Sequence, residues 1–252
     1  MAIHKTTAIV LERRDYRESS YLLSFFTYEF GKISAQAKGA RRKVDKFGTS
    51  FQPISLNKIV FYEKQRSDLH IISQADLLDN FDNLSRDIDK FSIAAYFLEL
   101  VNAAMPFEEK NCEVFELLLE FLTFVNNEEA IKHIAAIFEV KFLKLSGFKP
   151  SFDCCVSCNG PIVEKSKFSF VLGGLLCPKC FEADKFASSV MNGTIASINH
   201  IEKIELRQVP NFKMVGSVSK ELGQVLRNFI DFHVGHRFKS LEFIKKIKYA
   251  VV

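Results

Sequence analysis

The sequence contains no long uninterrupted hydrophobic run. Hydrophobic residues fill 48% of its 252 positions, yet no apolar stretch approaches the ~20 residues that a membrane-spanning helix requires. The chain also does not begin with a positively charged segment followed by an apolar stretch, which is the pattern of a secretion signal. These absences argue against membrane and secreted proteins. We therefore expect a cytoplasmic protein in a reducing compartment, where disulfides are rare.

Tryptophan and the common catalytic motifs are also absent. The 26 phenylalanines supply large apolar side chains for a core, and 252 residues suggest two domains. There is no Gly-x4-Gly-Lys-Ser/Thr phosphate loop, no Gly-x-Gly-x-x-Gly and no His-Glu-x-x-His. Lys43-Val44-Asp45 is similar to the lysine motif of nucleotidyl-transferring ligases, but the next residue is Lys46 instead of glycine, and the 42 preceding residues are too few for the catalytic core of such an enzyme. We therefore predict a protein that is not an enzyme.

Four of the six cysteines form two Cys-x-x-Cys pairs, Cys155 with Cys158 and Cys177 with Cys180. Eighteen residues separate the pairs, which is typical of a four-thiolate zinc site. When thiolates fill all four positions, none is left for substrate or water, so we predict one structural Zn²⁺. Two disulfides or free buried thiols are the alternatives. Cys154 is an alternative to Cys155 as the first ligand.

Positive charge is concentrated in the first third of the chain. Residues 1–80 hold 13 Lys and Arg against 9 Asp and Glu, so the net charge of +4 lies there. Within fifteen residues, one acid, Asp45, accompanies six cations: Lys32, Lys38, Arg41, Arg42, Lys43 and Lys46. Such a cluster beside aromatic-rich strands favours phosphate binding and a nucleic-acid interface. A solvated loop without a ligand is the alternative.

The same part of the chain has the pattern of short strands. β-Branched and aromatic runs, separated by polar or glycine-containing segments, predict five strands: Ala8–Leu11, Tyr21–Thr27, Lys32–Ala37, Ile54–Tyr62 and Leu69–Ser73. Five strands in about 75 residues suggest a small barrel or sandwich. The OB-fold is the natural candidate, since it is a five-stranded barrel whose faces and loops commonly bind single strands.

From about residue 82 the apolar residues follow helical spacing. The pattern predicts helices near residues 91–101, 115–125, 131–145, 187–206, 217–236 and 240–248. Gly147 is placed as the C-terminal cap of the third helix. The sequence therefore predicts an α+β protein with an OB-fold domain at 1–80 and a helical domain at 81–252. The zinc module at 151–183 interrupts this helical domain.

The C-terminal segment combines cations with apolar side chains. Between Arg237 and Lys248, five cations accompany one acid, Glu242, and alternate with apolar residues. Such a segment is suited to pack on the helical domain or to bind an acidic peptide that carries hydrophobic side chains. A surface helix with solvated lysines is the alternative.

Several short motifs lie in a fixed order along nearly the whole chain. They are Asp15-Tyr16-Arg17-Glu18-Ser19, Phe26-Thr27-x-Glu29-x-Gly31-Lys32, Lys38-Gly39-Ala40-Arg41-Arg42, Phe51-Gln52-Pro53, Gly147-Phe148-x-Pro150, the two cysteine pairs with Gly173-Gly174 between them, and His233-x-x-His236-Arg237-x-Lys239-Ser240. In this ordered set the chain resembles the RecO family, the recombination mediators of bacterial DNA repair.

The resemblance implies an OB-fold, a helical domain and a zinc module. It also implies binding to single- and double-stranded DNA, annealing of strands coated with single-strand binding protein, and partnership with RecR in loading RecA in the RecF pathway. The family engages the acidic, partly apolar tail of single-strand binding protein, and we expect Arg237, Lys239 or Lys245 to contact it. The alternative function is a zinc-containing interaction or transcription module whose OB-like domain binds protein or RNA.

Overall fold

The computed structural model describes residues 2–42, 47, 49–64, 67–128, 133–163 and 165–250, with side chains up to residue 244. The chain forms two compact units, one of Met1–Glu129 with Phe238–Val252 and the other of Ala130–Arg237. The first unit therefore contains the N-terminal strands together with helices, whereas the sequence division lies at residue 80. The division into one domain at 1–80 and a second at 81–252 remains a prediction.

The first unit is built around a closed five-stranded barrel. Its strands follow the order β1-β2-β3-β5-β4, with bounds β1 (Ile3–Tyr16), β2 (Ser20–Thr27), β3 (Gly31–Ala37), β4 (Leu56–Tyr62) and β5 (Leu69–Asp79). β3 pairs with β5 in parallel, and the other neighbouring pairs are antiparallel. The predicted five-stranded OB-fold is thereby confirmed.

Strand β1 is much longer than the predicted Ala8–Leu11. Its first half pairs with β4 and its second half with β2, and a bulge between Val10 and Glu12 lies where the strand changes partner. The charged end of the strand has no apolar alternation, so pairing with β2 holds it in an extended conformation. The β1–β2 hairpin therefore carries charged side chains to one end of the barrel.

Two helices pack on the barrel within this unit, α1 (Ile88–Ala104) and α2 (Cys112–Asn127). The side chain of Asp87 accepts hydrogen bonds from the backbone N–H groups of Asp89 and Lys90 at the start of α1, and that of Asn111 accepts one from Val114 at the start of α2. Phe26 of β2 lies against Phe115 of α2, with 6.2 Å between ring centroids. The barrel and α2 therefore share a buried aromatic contact.

The second unit combines three helices with a small antiparallel sheet of order β7-β6-β8. Its elements are α3 (Ile134–Leu145), β6 (Ser166–Ser169), β7 (Gly174–Leu176), β8 (Ser188–Val190), α4 (Asn192–Ile201) and α5 (Gly216–Val234). Gly147 follows α3 with a φ of +82°, the left-handed conformation common just after helix ends. On α5, the guanidinium of Arg227 lies 3.3 Å from buried Glu139 of α3.

The last helix, α6 (Lys239–Ala250), belongs to the first unit. Glu99 of α1 accepts hydrogen bonds of 2.9 Å from the backbone N–H groups of Lys239 and Ser240. Phe238 is buried and meets Tyr96 edge-on, at 5.6 Å between centroids. In the part of the chain that the structure describes, no helix combines the length and the apolar character needed to cross a bilayer.

Candidate metal centre and nucleic-acid interface

The four cysteines predicted as zinc ligands lie together in the second unit. The Sγ atoms of Cys155, Cys158, Cys177 and Cys180 lie within 4.8 Å of one another, and those of Cys158 and Cys177 are 3.8 Å apart. Four sulfurs bound at about 2.3 Å to a tetrahedral ion lie roughly 3.8 Å from one another. The donor set therefore fits one tetrahedral metal ion. Among the described residues no other group of His, Cys, Asp or Glu side chains has this proximity.

The first cysteine pair lies in a tight turn. The backbone N–H of Cys155 donates to the carbonyl of Gly160 at 2.9 Å, and the N–H of Asn159 donates to the carbonyl of Cys155 at 2.8 Å. Asn159 closes the turn with a φ of +56°, which asparagine tolerates better than most residues. A Cβ atom on Gly160 would lie 3.3 Å from the sulfur of Cys158, so glycine leaves room for the ligand.

The second pair follows strand β7. The N–H of Cys180 donates to the carbonyl of Cys177 at 2.8 Å within the short 3-10 helix that begins at Pro178. Gly174 in β7 is required by close approach, because a Cβ atom there would lie 2.7 Å from the carbonyl oxygen of Ser151. The N–H of Val156 also donates to the carbonyl of Leu175 at 2.8 Å. These contacts fasten the first turn to β7 and bring the two pairs together.

The surroundings of Cys155 and Cys180 shift the pKa values of these two thiols in opposite directions. Burial alone raises the pKa of Cys155, but the backbone N–H groups of Cys177, Cys158 and Ser157 stabilise the thiolate and lower its pKa to about 6. A hydrogen bond with Ser157 lowers the pKa of Cys180, but burial and the neighbouring thiols together raise it to about 12. A bound divalent cation would supply the positive charge that lets all four sulfurs ionise.

Cys154 lies outside this cluster. It forms an isolated β-bridge with Pro161, and the cluster in the described residues contains Cys155 instead. Of the two neighbouring cysteines, Cys155 is therefore the one whose Sγ atom lies with those of the other three. Cys112 is the half-buried first residue of α2, and its Sγ lies 3.3 Å from the carbonyl oxygen of Tyr28.

Three of the predicted DNA-binding cations are exposed on the loop that follows β3: Lys38, Arg41 and Arg42. Ala40, between them, is buried in the barrel core. The backbone N–H of Arg41 donates to the carbonyl of Ser19 at 3.0 Å. The loop is thus anchored against the β1–β2 hairpin, and its cations point away from the core. We call residues 38–42 the cationic loop.

The β1–β2 hairpin adds cations and aromatic rings that a count of charge along the sequence missed. The guanidinium carbon of Arg13 lies 4.9 Å from the centroid of the Tyr21 ring, and that of Arg17 lies 5.2 Å from the Tyr16 ring. The acids of this segment cancel its positive charge, so its net charge did not distinguish it from the rest of the sequence. Arginines and tyrosines close together in the sequence are the signal that could have identified it.

Lys32 lies apart from the exposed cations. Its side chain is buried, and Nζ donates to the carbonyl of Asn102 near the end of α1 at 2.6 Å. Nζ also lies 4.3 Å from the centroid of the Phe107 ring. Burial lowers the pKa of this lysine. An ammonium group already engaged by the end of a helix is poorly placed for DNA, and Lys43 and Lys46 lie outside the described residues.

The residues predicted to bind the tail of single-strand binding protein lie just before α6 and within it. Arg237 and Lys239 are exposed, on either side of buried Phe238. The side chain of Lys245 lies outside the described residues. Glu99 already accepts hydrogen bonds from the first backbone N–H groups of α6, so these groups are not available to a peptide carboxylate. Such a carboxylate would have to pair with cationic side chains such as those of Arg237 and Lys239.

Comparison with known proteins gives matches along the whole chain. Residues 1–81 match the family "Recombination protein O N terminal", and residues 85–242 match "Recombination protein O C terminal". The chain is 30% identical over 253 residues to the DNA repair protein RecO of Syntrophus aciditrophicus, covering 98% of this chain and 97% of that protein. It is 34% identical over 245 residues to the protein of the same name from Alkaliphilus metalliredigens, covering 96% and 99%.

Proposed function

The chain belongs to the RecO family of DNA repair proteins, and from this premise we propose that it is a non-catalytic mediator of recombination. In this proposal it binds single- and double-stranded DNA and anneals complementary strands coated with single-strand binding protein. The observation that carries the proposal is the cationic loop, which presents Lys38, Arg41 and Arg42 from one end of an OB-fold barrel.

The arrangement of this loop suits strand annealing. Arginine and lysine side chains bind phosphate in every sequence alike and supply most non-specific affinity for nucleic acid. An annealing protein must hold a strand by its backbone and leave the base edges free to pair. The rings of Tyr16 and Tyr21 stand beside the arginines of the hairpin and offer sequence-tolerant stacking. Residues 1–80 are the proposed DNA-binding domain.

The metal in this proposal is Zn²⁺ with a structural role. It would be held by Cys155, Cys158, Cys177 and Cys180, which fill a tetrahedral coordination shell. When bound, it neutralises the thiolates and cross-links the two turns. The chain itself supplies the framework, because the hydrogen bonds to β7 already orient the two pairs.

The proposed partners follow from family membership. The protein would act with RecR in loading RecA within the RecF pathway, in the bacterial cytoplasm near the nucleoid. It would engage the acidic tail of single-strand binding protein through Arg237, Lys239 or Lys245. Exposed cations of this kind add modest, salt-sensitive affinity, while neighbouring apolar side chains supply most of the binding free energy.

The double variant Arg41→Ala/Arg42→Ala tests the proposed interface. We expect weaker binding to all DNA sequences alike, and a plot of log K against log salt concentration whose slope is smaller by about 1 to 2 units. Annealing of coated complementary strands should slow in parallel. Arg86→Ala/Arg207→Ala removes two exposed arginines elsewhere and serves as a charge-matched control.

An unchanged affinity and salt slope in Arg41→Ala/Arg42→Ala would place the DNA interface elsewhere. Equal affinity for RNA, with no annealing of coated DNA strands, would support the alternative of an RNA-binding or transcription module.

A further inference from the structure

Two acidic side chains of the β1–β2 hairpin pair with the two arginines of the cationic loop. An oxygen of Asp15 lies 3.5 Å from the guanidinium of Arg41, and an oxygen of Glu18 lies 3.6 Å from that of Arg42. Asp15 lies near the end of β1, and Glu18 lies in the turn that joins β1 to β2. The proposed phosphate-binding arginines therefore already have anionic partners within the protein.

The position of the loop does not depend on these ion pairs. Ala40 is buried in the barrel core with 4% of its surface exposed. The backbone N–H of Arg41 donates to the carbonyl of Ser19 at 3.0 Å, and the N–H of Arg42 donates to the carbonyl of Gly39 at 3.1 Å. Burial and backbone hydrogen bonds thus fix the loop, while the guanidinium groups remain free to exchange partners.

The two acids are also too exposed to contribute much to folding. The side chains of Asp15 and Glu18 are 67% and 91% exposed, and those of Arg41 and Arg42 are 39% and 73% exposed. Ion pairs at such sites contribute little to stability, because water and salt screen them. Each carboxylate nevertheless places a negative charge beside a guanidinium that a phosphate would have to approach.

We propose that Asp15 and Glu18 are internal competitors of DNA phosphate, and that they weaken binding and speed the release of DNA. This inference rests on the proposed function. When a strand binds, phosphate oxygens replace the carboxylates beside Arg41 and Arg42. When it leaves, the carboxylates return, so the guanidinium groups always keep an anionic partner. The exchange suits an annealing protein, which must release the duplex after the strands pair.

The test compares Asp15→Asn/Glu18→Gln with the wild type. We expect the variant to bind a labelled single strand about three- to tenfold more tightly, since each exposed ion pair that phosphate must displace is weak. The dissociation rate, measured by stopped flow with excess competitor DNA, should fall by a similar factor, because affinity changes within one interface lie mostly in dissociation. Repeated rounds of annealing should slow.

The control variant Glu63→Gln/Asp76→Asn removes the same charge from the barrel. Its carboxylates contact His4 and Gln74, outside both the β1–β2 hairpin and the cationic loop. A gain in affinity no larger than in this control would mean that only net charge matters, and would overturn the inference. Weaker binding by Asp15→Asn/Glu18→Gln would overturn it as well, because the acids would then orient the arginines.

Combining Asp15→Asn/Glu18→Gln with Arg41→Ala/Arg42→Ala in one protein completes a double-mutant cycle. The inference requires the gain in affinity to disappear in that background. If Arg41→Ala/Arg42→Ala alone binds DNA as tightly as the wild type, the proposed interface itself is misplaced. If that variant loses affinity but the gain from the acid substitutions persists in it, the interface stands and only the role of Asp15 and Glu18 fails.

Discussion

At the scale of single residues, two lysines that lie close together in the sequence differ in their exposure to solvent. Lys32 on β3 is 5% exposed, and its Nζ lies between the carbonyl of Asn102 and the ring of Phe107. Lys38, at the start of the cationic loop, is exposed. A cation near the last carbonyl groups of a helix is favoured by the helix dipole. Lys32 is therefore expected to stabilise the first unit, whereas Lys38 is available to DNA.

Lys32→Ala and Lys38→Ala should separate these roles. We expect Lys32→Ala to lower the free energy of unfolding by about 1 to 3 kcal/mol, because the half-buried Asn102 loses the donor to its carbonyl. Its DNA affinity, measured on the folded protein, should stay close to that of the wild type. Lys38→Ala should do the opposite, with weaker DNA binding and a stability change under about 0.5 kcal/mol.

The pH dependence of stability gives a second measurement on Lys32. Its pKa is lowered in the folded protein from the ordinary value of 10.5, so the unfolded chain binds more protons between the lowered pKa and 10.5. The stability of the wild type relative to Lys32→Ala should therefore rise as pH increases through that window. A loss of DNA affinity in Lys32→Ala without a loss of stability would contradict this account.

At the scale of structural elements, the cysteine turns are held by backbone contacts with β7 and by apolar packing. Cys155 and Cys177 are buried with Leu176 and Ala187, and the half-buried ring of Phe181 packs against them. This cluster is small, so little hydrophobic burial supports the module by itself. We expect the metal to provide much of its stability, since metal binding to such sites contributes directly to folding.

Cys155→Ser should remove the metal and destabilise the second unit, whereas Cys154→Ser should leave both unchanged. Structural zinc contributes roughly 10 kcal/mol to the folding of isolated zinc peptides, and even part of this is a large share of a typical total stability of about 5 to 15 kcal/mol. Elemental analysis should give one zinc per chain in the wild type and in Cys154→Ser. A wild-type protein that folds fully without any metal would refute the structural role.

At the scale of the whole molecule, charge is divided between regions of the chain. The net positive charge lies in residues 1–80, whereas residues 81–131 carry 11 acids against 3 bases. Phosphate should be attracted to the barrel and repelled by the acidic helices. A further group of cations lies near the C-terminus, where Arg237 and Lys239 are exposed. The chain therefore offers a second cationic region, separate in sequence from the cationic loop.

A triple charge reversal, Arg237→Glu/Lys239→Glu/Lys245→Glu, tests the proposed partner contact. We expect its affinity for a labelled peptide from the tail of single-strand binding protein to fall about tenfold at low salt, with a smaller difference at high salt because exposed charges are screened. Lys203→Glu/Lys213→Glu/Lys220→Glu provides the same change of charge at other exposed lysines. Wild-type affinity in the first variant would mean that the tail binds another surface.

Local sequence pattern was enough to predict most of the secondary structure and the cysteine cluster. β-Branched and aromatic runs predicted the five strands, and the helical spacing of apolar residues predicted most of the helices, because both patterns reflect a buried face. The Cys-x-x-Cys pairs predicted which cysteines lie together, because the geometry of each tight turn depends on nearby residues alone. Strand β1 was predicted too short, since its charged end is extended only through pairing with β2.

The sequence by itself therefore determined the OB-fold, the four cysteines that form the cluster and the presence of a cationic segment near residue 40. Tertiary structure alone decided which of those cations are exposed. It buried Lys32 beneath Phe107 and placed Asp15 and Glu18 beside Arg41 and Arg42, more than twenty residues away in sequence. Sequence patterns record local spacing, whereas the environment of a charge depends on which strands and helices pack around it.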